Sequence, residues 1–268
     1  MINYEKTKHQ LKGEIKNITC RDGYCRITIE APAICHVATP GQFVMVKASE
    51  EKSNDPLFRR PFSIHQVADG WLTIIFKIVG RGTKKLAKMK AAEMLDVIGP
   101  LGKGFHIANG QRHYLVGGGV GIAPLHFLAE SIYRYNPESE IVALLGARTA
   151  KELDAFAHIN SLNFMQVAIS TDDGTAGHHG LVIDLLERSV TEKGLGPVYC
   201  CGPWPMMKAI AMYCSNKKMA CQVSLETIMA CGVGACLGCA VSGSEVIGDG
   251  YLHVCKDGPV FEAEKIWL

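Results

Sequence analysis

The spacing of apolar and polar positions changes part-way along this chain. From about Gly13 to Ile98 the apolar residues alternate or form short runs, as in ICHVATPGQFVMVKAS, RPFSIHQV and WLTIIFKIVG, bounded by Pro-Gly, Asp-Gly or Gly-Arg-Gly. Alternation places every second side chain on one face of a strand, and the Gly and Pro pairs close turns. Evenly spaced strands with little helix predict a small barrel. One helix is expected in it, TKKLAKMKAA, opened by Thr83 as N-cap.

The stretch Gly99 to Arg112 is Gly-rich and without period, and reads as a connection. Beyond it the patterns alternate: HYLVGGG, EIVALLGAR, FMQVAISTDDG and VYCCGP as strands, with APLHFLAESIYRY, KELDAFAHIN, LVIDLLERSV and WPMMKAIAMYCSNK as helices. Pro124 falls in a first helical turn, where its missing N–H costs nothing. Strands alternating with helices predict a doubly wound parallel sheet. From about Gln222 the pattern breaks into a Cys- and Gly-rich segment. The expected class is α/β plus β, with a barrel over residues 1–106, a doubly wound domain over 107–222 and a small C-terminal module over 223–268.

Composition narrows the function more than the fold. The chain has 268 residues, 48% hydrophobic and 20% charged, with a net charge of +2. That charge is too small for a nucleic-acid surface, and no basic run exceeds a Lys-Lys pair. MINYEKTKHQLKGEI lacks the apolar core of a signal peptide, and no apolar stretch reaches a membrane span of about 18 residues. A cytoplasmic location is expected. Eleven cysteines are many for that compartment, where disulfides are not expected, so metal ligation or burial should account for them.

Four of the cysteines fall in the last 38 residues. Cys231, Cys236, Cys239 and Cys255 are spaced C-x4-C-x2-C-x15-C, the plant-type [2Fe–2S] pattern of three close thiolates and a distant fourth. A tight loop must wrap one edge of such a cluster. Gly232, Gly234 and Gly238 permit positive φ and let amide N–H groups approach the sulfurs. Structural zinc is the rival, but zinc knuckles usually come as two short-spaced pairs, and Cys255 has no near partner. In that rival reading the chain is a zinc-stapled interaction module with a degenerate nucleotide domain.

VGGGVGIAP, Val116 to Pro124, follows a predicted strand and opens a predicted helix, the context of a dinucleotide loop. Its glycines admit a pyrophosphate to the backbone, and the helix N-terminus favours the negative charge. Cys201-Gly202-Pro203 ends a later strand, where ligands meet an open sheet. Taken alone, it is as well read as an ordinary tight turn.

Arg60-Pro61-Phe62-Ser63 within a barrel, then a Gly-rich doubly wound domain ending in Cys-Gly-Pro, resembles the ferredoxin–NADP reductase superfamily with its R-x-(Y/F)-(S/T) flavin motif. Gly99 to Phe105, Thr171 to Gly174, Cys201 to Met206 and Ser224 to Cys236 follow in order. Together they look like the electron-transfer subunits of NAD-linked dihydroorotate dehydrogenases, from about residue 10 to the end. The resemblance implies an FAD site at Arg60, Pro61, Phe62, Ser63 (near flavin N5), Lys77, Ile78, Val79, Gly82 and Thr83. It implies an NAD(H) site at Gly117, Gly118, Gly119, Val120, Gly121, Cys201, Gly202 and Pro203, and a [2Fe–2S] cluster on the four cysteines. It also implies an FMN-containing catalytic partner that oxidises dihydroorotate for pyrimidine synthesis, in a heterotetramer of two of each subunit. A related architecture serves NADH-dependent ferredoxin–NADP and sulfur reductase complexes, some of which carry an aspartate among the ligands.

Other residues change little. His178-His179 reads as a solvated loop pair, Lys208, Lys217 and Lys218 as a solvated helix face, and the seven scattered cysteines as buried apolar groups. Arg148 is the kind of residue that meets a 2′-phosphate, whereas the resemblance implies NAD(H). Trp204 stands where the resemblance suggests a polar or acidic residue, and reads as a rim residue.

Overall fold

The computed structural model describes residues 8–48, 55–248 and 250–266, so the N-terminal run up to residue 7 lies outside the described residues. Six strands, β1 (His9–Arg21), β2 (Tyr24–Glu30), β3 (Phe43–Val46), β4 (Arg60–Ala68), β5 (Trp71–Lys77) and β6 (Met94–Leu101), close into an antiparallel barrel of order β1-β2-β5-β4-β3-β6. Its interior is filled by the buried members of the alternating runs, among them Ile27, Ile29, Val44, Val46, Ile64, Leu72, Ile74 and Phe76. Two short helices interrupt it, α1 (Pro32–Val37) and α2 (Arg81–Leu86).

Both helices correct the sequence reading. ICHV is helical rather than extended, because Pro32 starts a helix where its fixed φ suits the first turn. The helix near Thr83 is shorter than expected, and Gly80 is its N-cap. Thr83 is the third residue of α2. Its hydroxyl accepts from the amides of Val79 and Gly80, both at 3.0 Å, and donates to the Gly80 carbonyl.

The second unit comprises β7 (Arg112–Gly118), α3 (Ala123–Tyr135), β8 (Glu140–Ala147), α4 (Ala150–Leu153), β9 (Gln166–Thr171), β10 (His178–His179), α5 (Val182–Lys193), β11 (Val198–Cys201), α6 (Trp204–Asn216) and β12 (Cys221–Ser224). Only Lys151 to Leu153 of KELDAFAHIN are α-helical, in α4, and the rest continues as a 3-10 stretch, Asp154–Ser161. Its buried Phe156 and Ile159 are three apart, the repeat that a 3-10 turn stacks on one face. β10 to β12 run parallel to their neighbours in a sheet of order β10-β9-β8-β7-β11-β12. The chain moves outward from β7 to β9 and returns beside β7 at β11, which makes the carboxyl ends of β7 and β11 a topological switch point.

The C-terminal segment is tied into this sheet. Its strand β15 (Val260–Glu262) pairs antiparallel with β12, and the boundary expected at residue 222 falls inside β12. Between them lie the cysteine loop and a hairpin of β13 (Ala240–Ser242) and β14 (Tyr251–His253). Phe43, Met45 and Leu101 of the barrel share a core with Val223, Met229, Cys239, Val254 and Cys255, so the cysteine segment packs on barrel and sheet together.

Two further readings are corrected. Cys20 and Cys25 face each other across β1 and β2, Cα atoms 4.1 Å apart, and are joined as a disulfide. The hairpin register alone brings the sulfurs together. His178-His179 is an edge strand rather than a loop, and His178 Nε2 lies 3.1 Å from Asp184 Oδ2.

Candidate functional site

Two clefts open at the seam between barrel and sheet. The first, about 380 Å³, runs along Arg60, Pro61, Phe62 and Ser63 of β4, the end of β5, Val79 and Thr83. Its far wall is Val120 and Ala123 with Ser224 to Thr227. The guanidinium of Arg60 lies over Gly82, where a Cβ would approach Nε to 2.9 Å, and donates to the Phe58 carbonyl at 2.7 Å. Phe62 packs on Phe76 with ring centroids 4.9 Å apart. Ile78 does not line this cleft. Alternation along the extended chain turns it, partly buried, against the barrel core while Lys77 and Val79 face the opening.

The second cleft, about 570 Å³, lies over the switch point and is lined by Gly118, Gly119, Val120 and Gly121, by Gly202 and Pro203, and by Arg148 and Asp172. Gly119 has φ of +54°, and a Cβ added there would meet nothing within 4 Å, so its backbone is open to a ligand. The other loop glycines serve packing. A Cβ on Gly117 would meet Leu125 at 2.7 Å, and one on Gly121 would meet the Cys201 carbonyl oxygen at 2.4 Å. Gly117 therefore belongs to the contact between β7 and α3 rather than to the cleft. Cys201, 1% exposed, also lies beneath the cleft floor beside Ser224, and burial pushes its thiol up.

The two clefts share Lys77, Val120 and Glu226, so they are continuous. Lys77 Nζ reaches Glu152 Oε1 at 2.9 Å, joining barrel to nucleotide domain. The carboxyl of Glu152 is held at about 2, chiefly by the hydrogen bond from Arg148, against the opposing effect of burial and with further help from Lys77. Glu226 is exposed and opens onto both clefts, and partial desolvation of its carboxyl within them raises its pKa.

The four expected cysteines converge. Amides of Val233, Ala235 and Cys236 point at Cys231 Sγ from 3.3–3.4 Å, and the Gly234 amide donates to Cys255 Sγ at 3.1 Å. The amide of Cys255 in turn donates to Cys239 Sγ at 3.4 Å. Burial raises the pKa of the Cys231 thiol, but these amides, together with the Cys236 side chain, bring it down to about 6. Cys255 is pushed up to about 12 by burial and by neighbouring Cys239. Buried thiols that oppose one another's ionisation, together with amides aimed at sulfur, suit a cationic iron–sulfur core. Positive φ occurs at Gly232, Gly234 and Leu237; Gly238 does not need it, which corrects one of the three glycine roles expected. Cys236 is exposed, whereas Cys239 and Cys255 are buried.

Residues 226–267 match the iron-sulfur cluster binding domain of dihydroorotate dehydrogenase B, and residues 115–212 match an oxidoreductase NAD-binding domain. A dihydroorotate dehydrogenase B (NAD(+)), electron transfer subunit, from Caldanaerobacter subterraneus subsp. tengcongensis is 39% identical over 227 residues, 85% of this chain and 86% of the relative. The chain belongs to the dihydroorotate dehydrogenase B electron transfer subunit family. A second member, from Bacillus caldolyticus, is 38% identical over 249 residues, 90% of this chain and 92% of the relative. A solved NADH-dependent reduced ferredoxin-NADP oxidoreductase superposes with a TM-score of 0.82 at 31% identity, covering 96% of this chain and 90% of that one. A ferredoxin NADP+ reductase from Neisseria gonorrhoeae, solved with bound FAD and NADP, shares the fold at a TM-score of 0.62 and 16% identity, covering 77% of this chain and 91% of that one.

Arg148 lines the second cleft, and its guanidinium is engaged by Glu152 at 2.7 Å. Trp204 is 47% exposed at the start of α6 and is not among the cleft-lining residues. Lys208, Lys217 and Lys218 are exposed. Glu226, Tyr24 and Glu152 were not expected at the clefts. Glu226 lies inside the Ser224 to Cys236 motif and was legible there as a conspicuous acid, whereas Tyr24 and Glu152 carry no local signal. Among the described residues no helix is long and apolar enough to cross a membrane.

Proposed function

We propose that this chain is the cytoplasmic electron-transfer component of an NAD-linked dihydroorotate dehydrogenase, serving an FMN-containing catalytic partner in pyrimidine synthesis, two of each subunit in the complex. The observation that carries the reading is the combination of two continuous clefts with a four-cysteine centre in one packed unit. When bound, the flavin would exchange hydride with the nicotinamide and release electrons singly, and the cluster would carry them one at a time.

The protein's own part is to hold and orient. Arg60 offers a guanidinium for phosphate, Phe62 and Ser63 offer a ring and a hydroxyl along the flavin cleft, and the open backbone at Gly119 admits a pyrophosphate. The Lys77–Glu152 pair holds the two clefts in register. Cys231, Cys236, Cys239 and Cys255 hold the cluster. Exposed Ile228, Val233 and Leu237 flank these cysteines in sequence, giving the loop an apolar surface suited to docking a partner.

The likeness to the NADH-dependent reduced ferredoxin-NADP oxidoreductase favours a second reading, in which the same machinery serves another electron acceptor. The polypeptide that co-purifies with this chain separates the two. For the first reading, Cys231→Ser should spare NADH–dye activity and abolish NAD-coupled orotate chemistry, while the catalytic partner still reduces artificial acceptors alone. Rapid mixing of NADH with the variant and partner would follow both flavins. Reduction of the partner's flavin at the wild-type rate would overturn the proposed order of carriers.

A further inference from the structure

Three histidines meet at the seam between barrel and nucleotide domain, away from the cysteines. His65 comes from β4, His126 from α3 and His158 from the 3-10 stretch after α4. One ring nitrogen from each lies within 4.8 Å of the other two. His65 sits where the pairing of β4 with β5 slips between Ile64 and Gln66, and such an irregularity re-aims a side chain. Its ring is fully buried, and His126 is 3% exposed.

The hydrogen bonds leave one nitrogen of this cluster unpaired, on His126. His65 Nδ1 lies 2.7 Å from the Ala123 carbonyl, which can only accept, so Nδ1 carries the proton and Nε2 presents a lone pair. That Nε2 faces His158 Nε2 at 2.7 Å. Among the described residues nothing pairs with Nδ1 of buried His126, a costly arrangement for an imidazole nitrogen removed from water. Glu130 Oε1 stands 3.2 Å from His126 Nε2 and accepts from Gln66 Nε2 at 2.9 Å.

We propose that His65, His126 and His158 form a binding site for a borderline divalent transition-metal ion of the zinc type, which ties the barrel to the nucleotide domain. Imidazole nitrogens suit such ions, and ligands about 2.0–2.1 Å from zinc lie about 3.3 Å apart, within reach of small ring movements. The surroundings match those of metal-bound histidines, whose second ring nitrogen usually donates to a carbonyl or carboxylate. Ala123 fills that role for His65, and Glu130 supplies a carboxylate beside His126. Glu130 also offsets part of the ion's charge, against which Arg26 acts from the barrel side. The site would fix the relative placement of the two clefts without touching either cofactor.

The test uses the holoprotein with its FAD and iron in place, treated with a chelator, desalted and titrated with zinc chloride in a calorimeter. Uptake of one zinc per chain at micromolar or tighter affinity is expected, with iron content unchanged. His158→Gln, at a half-buried position, and His126→Gln should each weaken uptake by more than about tenfold, the least that loss of even an outer partner costs such sites. Zinc should also raise the melting temperature of the wild type and not of the variants, whose FAD and iron contents report that they have folded. His178→Gln, in the exposed pair with Asp184, should bind zinc as the wild type does. Absence of stoichiometric uptake, or uptake unchanged in both seam variants, would overturn the proposal. The readout is zinc, so either result leaves the electron-transfer reading to its own test.

Discussion

The nucleotide loop and the cysteine loop are both rich in glycine, yet their glycines answer different physical demands. In the first, Gly117 and Gly121 are small because protein lies against them: Leu125 and the Cys201 carbonyl oxygen occupy the space a Cβ would need. Only Gly119 of that loop combines positive φ with open space. In the second, Gly232 and Gly234 have φ of +72° and +83°, and the amides that follow them, on Val233 and Ala235, point at Cys231 Sγ, while Gly232 also lies against Met45, whose Cγ a Cβ would meet at 2.5 Å. One loop thus uses glycine mainly for close approach, and the other uses it to steer the backbone as well. A glycine count does not distinguish these uses; the neighbours and dihedrals do.

Alanine substitutions turn this contrast into an ordered set of outcomes. Gly121→Ala should have the largest effect, because its Cβ would meet a backbone oxygen that cannot rotate away. The expected loss is about 3 kcal/mol of global stability, at the upper end of overpacking costs, read by denaturant unfolding. Gly234→Ala places Cβ 3.0 Å from the flexible Lys256 side chain, so its cost comes mostly from positive φ, about 1–2 kcal/mol. That cost falls on the cysteine loop, and iron content should drop while FAD stays bound. Gly119→Ala meets no neighbour. It should cost about 1 kcal/mol and weaken NADH binding more than it lowers stability. Equal losses of stability in all three variants would erase the distinction between the loops.

Much of the site was legible where chemistry imposes short spacing. A cluster edge requires three nearby thiolates, so Cys231, Cys236 and Cys239 stand out, and the distant Cys255 follows from the pattern. The alternation of apolar residues likewise revealed the barrel, and the strand–helix rhythm revealed the parallel sheet. Less was legible where contacts join distant segments. The seam histidines come from three separate elements, and Lys77 meets Glu152 across the domains. Gly117 matched the fingerprint but is consumed by helix packing, because a one-dimensional motif cannot say on which side of a loop the protein lies. The disulfide between Cys20 and Cys25 depends on strand register, which the compartment argument did not consider.

The smallest expected effect belongs to the polar link between the clefts. Glu152 in α4 accepts from Lys77 at 2.9 Å and from Arg148 at 2.7 Å, and its side chain is 17% exposed. Its carboxyl lies near 2, below the ordinary 4.5, because the Arg148 hydrogen bond leads, burial opposes it and Lys77 adds to it. A carboxylate with a depressed folded-state pKa stabilises the fold fully above its unfolded value, and that contribution fades as pH falls from about 4.5 toward about 2. The full depression corresponds to about 3.4 kcal/mol at about 1.36 kcal/mol per unit. Solvent around the Lys77 and Arg148 ends screens the pair, so Glu152→Gln should cost only about 0.5 kcal/mol at neutral pH. Denaturant unfolding at pH 7 and again near pH 3 should show the difference between wild type and variant shrinking with acid. Because Lys77 lines both clefts, NADH-to-FAD transfer should slow a few-fold in the variant while FAD and iron contents stay at wild-type levels. A stability difference that instead grew toward pH 3 would mean that Glu152 is not held as a carboxylate by these partners.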